Sequence, residues 1–138
     1  MAKALNVGFH AGAGPDPGYL WSVHYLSVAR EEAESFLNDG QYEHVVDLFR
    51  SLASEKDPTH PVTVTVEAIE DFYELKDKGG ILGKISLRVY FTVSPHDAAI
   101  VVLAAIKKEE DGQTASWTKT RVKYRLRRFR KGEFGRPV

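Results

Sequence analysis

The chain predicts an α+β fold: an N-terminal strand and helical hairpin packed on an antiparallel sheet meander, with a C-terminal helix. Three observations carry this. Ile85, Leu87, Val89, Phe91 and Val93 alternate with Ser86, Arg88, Tyr90 and Thr92, the period-2 pattern of a half-buried strand. After the turn residues Ser94, Pro95, His96 and Asp97, the run from Ala98 to Ile106 is apolar throughout, as in a strand covered on both faces. Earlier, Val45, Val46, Leu48, Phe49 and Leu52 fall near helical spacing for a core-facing stripe.

In chain order, residues 1–18 read as a flexible leader because they combine several glycines with Pro15 and Pro17. The sequence GAGPDPG lacks the lysine of a phosphate-binding loop, and no strand and helix flank it as the dinucleotide fingerprint requires. Residues 19–138 read as a single domain. Tyr19 to Val28, rich in aromatic and β-branched residues, suits a first strand. Ser27 is placed to cap a helix from Ala29 to Asn38 that is acidic in its first turn. Asn38, Asp39 and Gly40 break it, a second helix runs from Gln41 to Ala53, and Asp57 to Pro61 end the hairpin. Extended patterns return between Val62 and Lys76, giving a strand that ends near Lys76 with the valines as its lead-in. Lys78, Gly79 and Gly80 open the loop to the next strand, and Glu109 to Gln113 form a charged turn. In the last segment Val122, Leu126 and Phe129 fit a helix, while Val122, Tyr124 and Leu126 fit a strand equally well. The leucines, lysines and arginines favour the helix.

At 138 residues, 43% hydrophobic and 28% charged, the composition is that of an ordinary globular domain. The absence of cysteine excludes disulfides and thiolate zinc sites. No apolar run reaches the ~18 residues a membrane span needs, and the N-terminus is a poor secretory signal. These features point to a cytoplasmic protein without a membrane partner. The net charge of zero conceals a division. Thirteen of nineteen acidic residues lie between Glu31 and Asp77, and nine of nineteen basic residues lie between Lys119 and Arg136. A basic block of that kind attracts a phosphate backbone, although charge runs are more commonly solvated faces.

The hairpin places Arg88 and Tyr90 on the open face of a sheet, with Lys107 and Lys108 where the next strand ends. A first strand with paired helices is followed by FYELK (Phe72 to Lys76). Next come a strand with LRVYF (Leu87 to Phe91) and an apolar strand ending in Lys107-Lys108. In that order the chain resembles the RelE/HigB-type toxins of bacterial toxin–antitoxin modules, from about Trp21 to Phe129. The resemblance implies a RelE-like fold and endoribonuclease activity on mRNA, in many members on the translating ribosome, with a cognate antitoxin as partner. No cofactor and no metal are expected. Lys76 falls where the family has the arginine of an ELR-like motif, Arg88 on its strand arginine, and Lys107 and Lys108 on its lysine pair. Tyr124 lies in the final segment, where several members place a catalytic tyrosine or histidine. The leader, a pI near 7 and the lack of the family's small alanine near Thr120 depart from the pattern.

On this reading Arg88, Lys76, Lys107 and Tyr124 are the catalytic candidates, and Lys84, Tyr90, Lys108, Arg125 and Arg128 are the RNA-binding ones. Arginine suits the extra charge at phosphorus because its planar fork meets phosphate oxygens bidentately. Lysine or tyrosine suits proton transfer, and tyrosine also stacks on bases. Each residue has a structural alternative. Arg88 pairs equally well with Glu74 or Asp71 across the sheet. Lys107 and Lys108 also read as a solvated strand end, and Tyr90 and Tyr124 as core or rim aromatics. Trp21 and Trp117 read as packing residues, and the five histidines lack ligand spacing. Two other function classes fit the same sequence. One is a non-catalytic or ParE-like module acting on a protein target such as gyrase; the other is a nucleic-acid-binding domain using its basic C-terminal segment.

Overall fold

The computed structural model describes residues 4–12, 18–108 and 114–137. The expected charged turn at Glu109 to Gln113 lies outside them. Six strands form one sheet: β1 (Leu5–Phe9), β2 (Ser22–Leu26), β3 (Thr65–Ile69), β4 (Phe72–Lys78), β5 (Ser86–Ser94) and β6 (Ala99–Lys108). They lie in the order β1-β2-β6-β5-β4-β3. Neighbours are antiparallel except β2 and β6, which run parallel. The helices are α1 (Ser27–Glu34), α2 (Asp39–Ala53) and α3 (Ser116–Arg130). The fold is α+β, with a helical hairpin after the first domain strand, an antiparallel meander from β3 to β6, and a C-terminal helix.

Alternation along β5 builds two cores. Leu87, Val89 and Phe91 face α2, whose Val45, Phe49 and Leu52 recur at helical spacing. Phe49 meets Phe91 edge to face at 5.8 Å. On the opposite face Tyr90 packs with Phe72, Val101 and Leu103 beneath Val122 and Leu126 of α3. The β6 run is buried on both faces, as its composition predicts.

The α1 helix has a different place. Register pairs β2 with β6 only as far as Val102, and α1 then flanks the rest of the β6 edge. There the Ala105 N–H donates to Glu32 Oε1 at 3.2 Å, and the Leu103 carbonyl accepts from Arg125 Nη1 at 2.9 Å. Arg125 also forks onto both Glu32 oxygens, at 2.8 and 2.9 Å. One ion pair thus satisfies edge groups that would otherwise lack a strand partner.

Several boundaries differ from expectation. Leu5–Phe9, assigned to the leader, forms an edge strand on β2, with a bulge at Gly8 where an added Cβ would meet the Val23 carbonyl at 3.1 Å. Ser27 is the first helical residue and not a cap: its hydroxyl accepts from Asn6 and donates to the Ala4 carbonyl. α1 starts earlier and ends at Glu34, so its acids sit away from the first turn. Asn38 caps α2 in a reciprocal box with Gln41, so Asp39 and Gly40 belong to α2. The Val62–Lys76 stretch is a hairpin, with Glu70 at φ 53 in the turn between β3 and β4. Among the described residues no helix is long and apolar enough to cross a membrane.

Candidate functional site

Cross-strand partners share a face, so the register orders the side chains beneath and beyond α3. Glu67, Glu74, Tyr90 and Ala104 make one row; Thr65, Lys76, Arg88 and Ile106 the next; Lys78, Ser86 and Lys108 the last. Along these rows the environment passes from buried to open.

At the buried end stands Glu74, 1% exposed. Its Oε2 accepts from the Tyr90 hydroxyl at 2.6 Å and the Thr114 hydroxyl at 2.8 Å. Its Oε1 lies 3.6 Å from Lys76 Nζ and 3.9 Å from Arg88 Nε. Burial of Tyr90, reinforced by its bond to Glu74, pushes the phenol well above its ordinary range, so it stays a proton donor. Lys76 Nζ also meets Glu67 Oε2 at 2.5 Å and holds that carboxyl below its usual range. Arg88 Nη1 donates to the Leu87 carbonyl at 3.0 Å and to Ser86 Oγ at 3.2 Å.

Beyond this cluster the sheet ends in a cleft of about 530 Å³ lined by Lys78, Lys84, Ser86 and Lys108, with Gly79 and Gly83 in its wall. Both glycines have positive φ, 78° and 60°, and a Cβ at either would meet nothing within 4 Å. They serve the backbone turn that presents Lys84, not close approach. Lysines from β4, the following loop and β6 therefore converge on one opening.

Of the nine candidate residues, the structure brings Lys76, Lys84, Arg88 and Lys108 to this end of the sheet. It places Tyr90, Lys107, Tyr124, Arg125 and Arg128 elsewhere, and it leaves Arg88 less accessible than expected. Arg88 is 5% exposed and Tyr90 fully buried, because α3 and its Thr114 lead-in cover the face expected to be open. Tyr90 is therefore out of reach of a base or substrate in this structure, and of the two alternatives for Arg88 the pairing with Glu74 is present. Lys107 is opposite Leu87 in register and so lies on the α2 side, away from Arg88. A lysine pair on a strand is divided by the pleat. Arg125 is committed to Glu32 and to the Leu103 carbonyl, so it is not an RNA contact. Tyr124, 51% exposed, sits eight residues into α3, roughly 12 Å along its axis from the first turn, and is not part of the cluster. Arg128 lies beside it, its guanidinium 5.4 Å from the Tyr124 ring and 4.7 Å from that of Phe134.

Two residues escaped the sequence reading. Lys78 lines the cleft, and its position two residues after Lys76 already put it on the Arg88 face. Trp117, expected to pack, is 60% exposed; Trp21 does pack, its indole donating to the Glu55 carbonyl at 2.9 Å. Among the described residues no three His, Cys, Asp or Glu side chains converge as a metal would need. No protein-family model, curated protein or solved structure matches the chain.

Proposed function

We propose that the protein is a cytoplasmic RNA-acting toxin of the RelE/HigB type that cleaves mRNA at the lysine-lined cleft. The observation that carries this reading is the convergence of Lys78, Lys84 and Lys108 on one opening beside the Lys76–Arg88 row. A phosphate in that opening meets lysines presented from two strands and a loop. Their charge offsets the negative charge that grows at phosphorus as the neighbouring 2′-hydroxyl attacks, giving its proton to water, and the 5′-oxygen leaves, taking a proton from water. Arg88 acts from behind: tied to Glu74, it fixes the β4–β5 pair that carries Lys78. The element order β2, α1, α2, β4, β5, β6, α3 supports the reading, since it is the order the resemblance implies. The cognate antitoxin, on this view, lays an acidic segment over the same cleft.

The test is cleavage of an end-labelled message, free and on ribosomes, by the full chain and by a K78A/K84A/K108A variant. Cleavage by the wild type, abolished in the variant, supports the proposal. The salt dependence of binding should fall by about 2 in log–log slope, since each lost single-strand phosphate contact removes ~0.7. A wild type that leaves both forms of the message intact sinks it.

A further inference from the structure

The outward flank of α3 carries a feature that the cleft does not use. Trp117, Arg121, Tyr124, Arg128 and Lys131 recur every three or four residues and form one stripe along the helix and its C-cap. The stripe is turned away from Thr118, Val122 and Leu126, which are buried. Within it cations and rings alternate in contact. The Arg121 guanidinium lies 5.3 Å from the Trp117 ring centre, and those of Arg127 and Arg128 lie 5.9 and 5.4 Å from the Tyr124 ring centre. Arg121 also reaches Glu32 at 3.3 Å and Arg128 reaches Glu133 at 3.7 Å. Among the described residues Arg127 and Lys131 make no ion pair with an acidic side chain.

We infer that this stripe is a stacking platform for a single RNA strand that passes from α3 into the cleft. Two exposed rings seven residues apart stand roughly 10.5 Å apart along the helix. That is close to three base steps of ~3.4 Å. A base placed on either ring finds arginines already arranged beside it, and its phosphates find Arg127 and Lys131. Trp117 and Tyr124 stay 60% and 51% exposed despite these cation contacts, and stacked bases would cover that surface. The entry to α3 stands beside the row that adjoins the cleft. Thr114, two residues before α3, bonds to Glu74, and Glu74 adjoins Lys76 and Arg88. The inference rests on the RNA-directed part of the proposed function and adds a substrate class, unpaired strands, together with a path for them.

The test uses the full chain and a labelled 12-nucleotide oligouridylate, with anisotropy for affinity and tryptophan fluorescence for stacking. Wild-type binding should quench the fluorescence of exposed Trp117. W117A/Y124A should bind ~10-fold or more weakly, the scale set by losing base–aromatic stacking. W117F/Y124F should recover most of the affinity, because the flat ring and not the indole or phenol polarity is required. A 12-base-pair RNA duplex should bind more weakly than the single strand and be insensitive to W117A/Y124A. In the message-cleavage assay the loss should appear as a raised KM. Unchanged oligouridylate affinity in W117A/Y124A, or equal loss for strand and duplex, overturns the platform. A wild type that cleaves normally with no change in KM in that variant overturns it too, and leaves the cleft reading standing. Binding through the rings without cleavage does the reverse.

Discussion

Replacing Glu74 by alanine removes the acceptor on which the face beneath α3 converges. Two hydroxyls lose their bond: Tyr90, itself fully buried, and Thr114, which anchors the entry to α3. The carboxylate opposite Lys76 and Arg88 goes as well, although Arg88 keeps its bonds to the Leu87 carbonyl and Ser86. Breaking one side of a buried ion pair costs about 3–5 kcal/mol, and an orphaned buried hydroxyl about 1–3. These overlap, because the same cavity relaxes around both. We expect a loss of about 4 kcal/mol, a large share of the 5–15 kcal/mol typical of a domain. With an unfolding entropy of about 2.1 cal/mol/K per residue, that lowers the melting temperature by roughly 14 °C.

Glu74→Gln separates the parts of this sum. Its amide oxygen still accepts from Tyr90 and Thr114, while the charge facing Lys76 and Arg88 is gone, so about half the loss should remain, near 2 kcal/mol. In urea unfolding followed by circular dichroism, Tyr90→Phe should cost about 1–2 kcal/mol alone. Added to Glu74→Ala it should cost almost nothing more, since the bond it breaks is already absent. A Glu74→Ala loss below 1 kcal/mol would refute the cluster as a structural unit. Additivity of the two substitutions would refute the shared hydrogen bond specifically.

Other consequences are simpler to measure. Because the folded Tyr90 phenol titrates above its unfolded value, the unfolded chain alone releases that proton above pH ~10. Stability is then complete below that pH and declines by about 1.4 kcal/mol per unit above it, until the folded phenol ionises. Tyr90→Phe should flatten the alkaline limb, and an equally steep limb in that variant contradicts the assignment. His24 is 1% exposed and its pKa is lowered, chiefly by burial and next by His10, against a raising influence from Asp97. Its contribution is therefore present above pH ~6.5 and lost at up to about 1.4 kcal/mol per unit as pH falls below it. His24→Phe should remove that slope from urea titrations between pH 5 and 6.5. For the sheet edge, Arg125→Ala should cost about 2–3 kcal/mol, and Arg125→Lys should recover under half, having no planar fork. Glu32→Ala should speed hydrogen exchange at the Ala105 amide; unchanged exchange there would mean that Glu32 does not complete the β6 edge.

Local periodicity reported the elements well because their causes are local. β5 alternates, β6 is apolar throughout, and α2 has its stripe; each pattern follows from what a pleat or a helix exposes. The β3–β4 hairpin was hidden because Glu70 takes the left-handed turn position that glycine or asparagine usually announces. Sidedness was not legible in β5 alone. Arg88 and Tyr90 mark a polar face, and polar faces usually meet water. This one is closed by Val122 and Leu126, over thirty residues later, and becomes tolerable only because Glu74 and Thr114 supply partners. The division of Lys107 from Lys108, by contrast, follows from the pleat and was readable at once.

The charge division along the chain now separates into two uses. Acidic residues of α1 and of the β3–β4 turn hold α3 against the sheet: Glu32 takes Arg125 and Arg121, Glu70 takes Lys123, and Asp71 lies 3.8 Å from Arg130. Of these only the Arg125 pair is largely buried, so it carries most of the stabilisation; exposed pairs contribute little. Among the described residues of this segment, Lys119, Arg127, Lys131 and Arg136 make no ion pair, and of these Arg127 and Lys131 lie on or beside the flank that shows Trp117 and Tyr124. A net charge of zero therefore does not argue against a phosphate partner, because the cancellation is internal and local. It makes a sharp distinction within one basic segment. Substitution at Arg125 should lower stability with little specific effect on RNA affinity in the folded fraction. Substitution at Arg127 and Lys131 should lower RNA affinity and its salt dependence while the melting temperature stays within about 2 °C of wild type, as expected for exposed sites.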